Sequence, residues 1–429
     1  MNYQNKDYRK NHELLHTPEG VRDIYGLECR KKLFVEDVIQ KVFKRYGFQH
    51  IQTPTFEFFD IFNKERGTVP SKDMYKFFDR ENNTIVLRPD ITPSIARCAA
   101  KYFKDEEFPI RLCYLGNTFI NNSSYQGKLK EVTQIGCELI HDDTSDADAE
   151  LIALTIESLL QTGLKDFQID VGHADFLAGL LEEASFDDEE VEQLRILIAS
   201  KNMFGVEELI SSKAVNAQLK ELFLKLPDFV GSIEVITYAQ KLTRNERSLK
   251  ALERMEKLYH ILEIYGYSNY ISFDLGMVSK YAYYTGVIFH AYTYGTGEAV
   301  ATGGRYNHLM EQFGKKAPAI GLAILVDTLM MALSRQGIDI EQKRIHTMIL
   351  YPQENREAAI HLANFYRMQN TLIELVRKSS HRDLAEYKVF ARKTNMSLIL
   401  FIEQKDRIAL IQLDKEEVQY VKVSDIIHN

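Results

Sequence analysis

The feature that most constrains the fold is a change of pattern in mid-chain. Residues 176–265 read as helix throughout (ADFLAGLLEEA, EEVEQLRILIA, NAQLKELFLKL, SLKALERMEKLYHILEIYG). They are rich in Leu and Glu at helical spacing and poor in β-branched residues. On either side the chain reads as strand: IRLCYLGNTF, EVTQIGCELI and FQIDVGH before it, YISFDLG, YYTGVIFHAYTY and EAVATGGRY after it. An all-helical block between strand-rich segments implies an insertion into a sheet domain. The sheet domain is then discontinuous, 17–175 and 266–336, with the helical insertion at 176–265. A chain of 429 residues also exceeds what one core usually supports.

The remaining elements fit that plan. Residues 27–46 form an expected helix with Leu33, Phe34, Val38, Val42 and Phe43 on one face, closed by Gly47. FQHIQTPTFE reads as a strand interrupted by Pro54, and MYKFFD and TIVLRP as further strands. AIGLAILVDTLMMALSRQ reads as a long apolar helix closing the sheet domain. Residues 1–16 are an expected flexible tail and Gly337–Lys343 an expected linker. Residues 344–429 alternate strand and helix as a small α/β domain. The expected fold is α+β, a mostly antiparallel sheet of about six strands flanked by helices.

Charge and cysteines narrow the function classes. A net charge of −8 argues against a protein whose main task is gripping a phosphate backbone, although a local basic patch is compatible with it. Cys29, Cys98, Cys113 and Cys137 form no CxxC pair, so they are expected to be reduced, buried thiols of a cytoplasmic protein, with no metal site. The N-terminus lacks an apolar h-region, and no run of 18 apolar residues occurs.

Four segments carry chemistry. In TIVLRPDITPSIAR, Thr92-Pro93 is a helix start; Asp90 and Thr92 are either turn and cap residues or the holders of a ligand's α-amino group. In TQIGCELI, strand alternation puts Gln134, Gly136 and Glu138 on one face, either a solvated face or the floor of a polar site. Tyr283 and Tyr284 precede a Thr-Gly turn and an apolar strand. Gly303-Gly304 permits close backbone approach by a strand or a ligand, without the GxGxxG of a dinucleotide site.

In this order the segments resemble the catalytic domain of class II aminoacyl-tRNA synthetases, histidyl-tRNA synthetase most closely. YGFQHIQTPTFE is similar to motif 1, RLCYLGNTF to TQIGCELI to the motif 2 hairpin, and PAIGLAILVDTLMMAL to motif 3, with YAYYTGVIF and GGRY similar to histidine-specific segments. The resemblance covers roughly residues 17–335 and includes the helical insertion. It implies a histidine pocket of Asp90, Thr92, Gln134, Glu138, Tyr283 and Tyr284, with Asp90 in place of the usual glutamate, and a homodimer core. Three arginines of the synthetases are replaced, by Ile120, by Ser279 and by Thr328 after Asp327; the loop's charged residues become Asn122, Ser123 and Ser124. Fixed cations stabilise the charge that builds during adenylate formation, and losing one such donor costs about 10²–10³ in rate. Lys128 and Lys130 are flexible ammonium groups and do not replace a bidentate guanidinium.

That combination resembles the ATP phosphoribosyltransferase regulatory subunit family, a paralogue of the synthetases. DLGMVSKYAYYTGVIFHAY and LRPDITPSIAR are similar to the family's versions. The resemblance implies a non-catalytic protein with no cofactor that activates a short-form catalytic subunit in a hetero-oligomer and takes part in feedback inhibition by histidine. The alternative is an active histidyl-tRNA synthetase or another histidine-binding synthetase paralogue. Against it, the C-terminal segment carries 14 Lys+Arg and 11 Asp+Glu from Lys343 onward, an excess of only three and a poor footprint for RNA.

Overall fold

The computed structural model describes residues 15–62, 69–122, 128–200, 202–211, 213, 215–277, 283–340, 346–404, 406–415 and 417–422. Residues 1–14 of the expected tail, 341–343 of the expected linker, and Ser123, Ser124 and Ser279 lie outside the described residues. The chain forms two compact units, Met1–Ile340 and Glu341–Asn429.

The first unit is built on a nine-stranded sheet among the described residues. Its strands are β1 (Gln49–His50), β5 (Ile110–Phe119), β6 (Glu131–Ile140), β7 (Phe167–His173), β8 (Val230–Gly231), β9 (Ile271–Asp274), β10 (Val287–Thr293), β11 (Ala301–Arg305) and β12 (Ala319–Leu325). The spatial order is β1-β5-β6-β12-β11-β10-β7-β9-β8. Pairing is antiparallel except for β1 with β5 and β7 with β9. The sheet exceeds the expected six strands because two-residue segments join its two edges, too short for any periodicity to register, and because Ala319–Leu325 adds a strand where a helix was expected. A separate three-stranded sheet is formed by β2 (Phe56–Phe58), β3 (Lys76–Phe78) and β4 (Thr84–Leu87).

Helices cover one face, except the one at Thr92–Tyr102, which packs on the other against Ile110, Leu112 and Tyr114. They are α1 (Gly26–Arg45), α2 (Thr92–Tyr102), α3 (Ser145–Gln161), then α4 (Ala174–Glu183), α5 (Asp188–Ala199), α6 (Met203–Ser211), α7 (Ala217–Lys225), α8 (Glu234–Leu242) and α9 (Glu246–Tyr265) in the helical block, and α10 (Val326–Arg335). One core runs from α1 and α3 through the sheet into the block, joining Ile39, Ile152, Phe289, Leu180, Phe223 and Leu258. The block lies between β7 and β9, which are parallel neighbours, so it is the crossover that a parallel pair requires, enlarged into a subdomain. It also returns β8 to the sheet edge, where Val230 pairs with Asp274.

Three expectations need correction. The buried stripe of α1 is Val35, Glu36, Ile39, Val42 and Phe43, while Leu33 is 58% exposed. The apolar set on this helix is wider than one face, and packing on α3 rotates the stripe. The expected long helix at 319–336 is a strand, β12, followed directly by α10. Gly321 and the alternating Ile-Leu-Ile positions suit a strand buried on both faces, a pattern that apolar content alone does not separate from a helix. Cys113 and Cys137 are buried, whereas Cys29 and Cys98 are only half-buried.

The second unit carries β13 (His346–Tyr351), α11 (Arg356–Met368), β14 (Leu372–Arg377), α12 (Leu384–Lys393), β15 (Leu398–Gln404), β16 (Arg407–Gln412) and β17 (Glu417–Val421). Its sheet order is β14-β13-β15-β16-β17, parallel where helices cross over and antiparallel where hairpins connect. Met348, Leu350 and Tyr387 pack in one cluster, and Ile349, Leu362 and Leu400 in another.

Candidate functional site

Alternation along β6 divides its side chains between two tasks. Ile135, Cys137 and Leu139 enter the main core. Gln134 and Glu138 point the other way and line a cavity of about 340 Å³. Missing side chains create the room. Gly321 sits directly opposite Glu138, and a Cβ there would stand 1.8 Å from the Glu138 Oε2. At Gly136 a Cβ would stand 2.5 Å from the Tyr114 hydroxyl. Gly303 is pressed against the Phe289 ring and the Gly321 carbonyl, so the glycine pair serves strand packing here.

All six expected residues, Asp90, Thr92, Gln134, Glu138, Tyr283 and Tyr284, line this cavity. The Thr92 hydroxyl donates to Glu138 Oε1 at 2.8 Å, and Tyr306 OH donates to Glu138 Oε2 at 2.5 Å. Asp90 Oδ1 accepts the Thr92 N–H at 3.2 Å, and its Oδ2 accepts from Tyr283 OH at 3.0 Å. Thr92 is therefore the first residue of α2 with its hydroxyl turned into the cavity, not the cap; Asp90 serves the free N–H. Tyr283 stacks edge-on against Tyr284 and Tyr306, at centroid distances of 4.9 and 6.0 Å.

The electrostatics are those of a site awaiting a positive charge. Burial pushes the Glu138 carboxyl up to about 8; the Tyr306 and Thr92 hydrogen bonds oppose this and Asp90 adds to it. Burial likewise raises Asp90, against the donors Thr92 and Tyr283. Among the described residues no Lys or Arg lines the cavity. Gln134 Oε1 and Tyr114 OH are buried without a hydrogen-bond partner among the described residues. An acceptor left unpaired in a dry site is costly, and a ligand N–H would satisfy it. The arrangement suits a small polar cation that also presents neutral donors. Tyr306 and Tyr114 escaped the sequence reading because their link to Glu138 and Gly136 is across strands, not along them. Tyr306 was within reach of the alternation argument, standing beside Arg305 at the end of β11.

A larger cleft of about 1160 Å³ adjoins the cavity, sharing Gln134, Gly297, Glu298 and Leu325 with it. Ile120, Asn122 and Thr328 stand on its wall. Every Lys or Arg lining it among the described residues is already engaged. Arg22 pairs with Glu28 at 2.5 Å, Lys31 with Asp339 at 3.1 Å and Lys128 with Glu298 at 2.7 Å. Arg335 donates to the Gly295 carbonyl. In the same wall Asp327 accepts from Lys32 at 3.0 Å and from the Thr133 N–H at 2.7 Å.

The sheet order, the inserted helical block and the polar cavity define a histidyl-tRNA synthetase-like protein, and the histidyl-tRNA synthetase family model matches residues 20–329. A histidyl-tRNA synthetase from Nostoc has the same fold, with a TM-score of 0.79 at 20% identity over 96% of this chain and 98% of that one. Closer in sequence is the ATP phosphoribosyltransferase regulatory subunit of Acetivibrio thermocellus, 41% identical over 96% of this chain and 98% of that protein. That of Ruminiclostridium cellulolyticum is 37% identical over 97% and 99%. A crystal structure from Bacillus halodurans, described as an ATP phosphoribosyltransferase regulatory subunit/histidyl-tRNA synthetase, superposes with a TM-score of 0.81 at 32% identity, over 90% of this chain and 98% of that one. The chain belongs to the ATP phosphoribosyltransferase regulatory subunit family.

Proposed function

We propose that this protein activates a short-form ATP phosphoribosyltransferase catalytic subunit, takes part in feedback inhibition by histidine, and performs no aminoacylation itself. The observation that carries this reading is the contrast between cavity and cleft. The cavity keeps two buried carboxylates and an unpaired Gln134 oxygen for an amino acid. In the cleft beside it the described cations are partly or largely exposed side chains held by local carboxylates and a carbonyl, not a buried, preorganised set. Adenylate formation needs preorganised cations where the phosphate charge develops. In this reading Glu138 and Tyr284 read the imidazole, while Asp90, Thr92 and Gln134 hold the α-amino group, with Tyr283 bracing Asp90. The core is a homodimer within a hetero-oligomer in the cytoplasm, and the helical block and the C-terminal unit are separate domains of the same subunit.

The test is phosphoribosyl-ATP formation by a short-form catalytic subunit from the same organism, with and without this protein. A large increase, reversed by histidine, is expected. No effect and no co-elution, combined with histidine-dependent pyrophosphate exchange by this chain alone, would instead support a synthetase. In a calorimetric titration Glu138→Ala is expected to weaken histidine binding by about 1–3 kcal/mol, the cost of leaving a buried polar group unpaired.

A further inference from the structure

With Glu138 and Tyr284 on the imidazole and Asp90, Thr92 and Gln134 on the α-amino group, an amino acid in the cavity still has a carboxylate to place. Several wall hydroxyls are already committed to the wall's own acids: Thr92 and Tyr306 donate to Glu138, and Tyr283 donates to Asp90. The other polar wall stands at β10 and β11, where His290, Tyr292 and Thr302 line the cavity.

Strand register builds that wall. Glu138, Gly321, Gly304 and Ile288 form one row across β6, β12, β11 and β10, and Gly136, Ala323, Thr302 and His290 form the next. Residues paired across a sheet share a face, so His290 rises from the same surface as Glu138. Between them the floor carries small residues, Gly321, Ala323 and Thr302. The Tyr284 ring lies over Gly304, where a Cβ would stand 2.8 Å from it. β6 and β10 are separated by three strand spacings, about 14 Å. Side chains of both strands enter that gap, and the room left is of the order of one amino acid in length.

Its neighbours orient the imidazole. The Tyr292 hydroxyl stands 3.3 Å from His290 Nδ1, and the two rings meet edge-on with centroids 6.0 Å apart. With that hydroxyl donating to Nδ1, a neutral ring carries its proton on Nε2, and a protonated ring donates from both nitrogens. On β7 the residue paired with His290 is Asp170, which accepts a hydrogen bond from Ser272. Glu298 joins the wall from the loop between β10 and β11. Among the described residues His290 is the one lining side chain that can carry a positive charge. A carboxylate held by a charged donor is bound more strongly than one held by hydroxyls alone.

We infer that His290, supported by Tyr292, receives the carboxylate of an amino acid in this cavity and so separates amino acids from the corresponding amino alcohols. The inference rests on the amino-acid reading of the cavity. Its test is calorimetric titration of the full-length protein with histidine and with histidinol, in which CH2OH replaces the carboxylate. The native chain is compared with His290→Leu and His290→Gln. The native protein is expected to prefer histidine by at least about tenfold, a difference of about 1.4 kcal/mol. His290→Leu is expected to lose that preference while its affinity for histidinol stays within about threefold of the native value. His290→Gln, which keeps an N–H donor without charge, is expected to fall between the two. A preference unchanged in both variants, an equal loss of both ligands in both variants, or no preference in the native protein would overturn the assignment and leave the cavity reading standing. Failure of the native protein to bind either ligand would overturn the cavity reading itself, and the role of His290 with it.

Discussion

The cavity and the cleft share four residues but solve their polar chemistry in opposite ways. In the cavity, carboxylates outnumber cations and both Asp90 and Glu138 are pushed toward the protonated form. In the cleft, three of the four lining cations among the described residues are paired with carboxylates of the wall itself, and Arg335 with a carbonyl. A site that satisfies its own charges has little to offer a charged ligand; one that leaves an acceptor unpaired stores affinity for whatever completes it. A shared fold therefore does not carry a shared reaction, because adjoining compartments of one sheet can be kept or dismantled independently.

The comparison breaks first at Gly321. Gly321→Val drives a side chain into Glu138 and is expected to abolish histidine binding while costing about 1–3 kcal/mol in stability; retained binding by calorimetry would mean Glu138 is not the reading residue. On the cleft side Asp327→Ala strands Lys32, and a denaturant titration should show a loss of about 2–3 kcal/mol with histidine affinity untouched.

The raised carboxyl gives a pH signature. Because the folded Glu138 keeps its proton up to about 8, the folded state binds more protons than the unfolded one between pH 4.5 and 8. Its stabilising contribution is full below pH 4.5 and is lost as pH rises through 8. Glu138→Gln should reduce the fall of Tm across that window; parallel profiles would show an ordinary, ionised Glu138. Smallest of all, Lys128→Ala removes a half-exposed pair and should shift stability by less than about 1 kcal/mol.

Much of this was legible along the chain. Period-two alternation alone separates Gln134 and Glu138 from Ile135 and Cys137, because a strand has only two faces. What the sequence hides is everything set across strands: Tyr306 on Glu138, Tyr114 over Gly136, and Gly321 opposite a carboxylate 183 positions away in sequence. Those contacts depend on register, which no local pattern contains. Thr92 misleads for a related reason. Threonine before proline is a reliable helix start, but which residue caps it is decided by the distant carboxylate that claims the hydroxyl.

The helical block leaves the sheet at β7 and returns at β9, two strands in direct contact, and its own β8 grips the outer side of β9. Both of its hinges therefore sit on one strip of the sheet, like a door hung along a single post. That post is one strand from β10, which carries His290 of the cavity wall. The core that the block shares with α1, α3 and the sheet keeps that door shut.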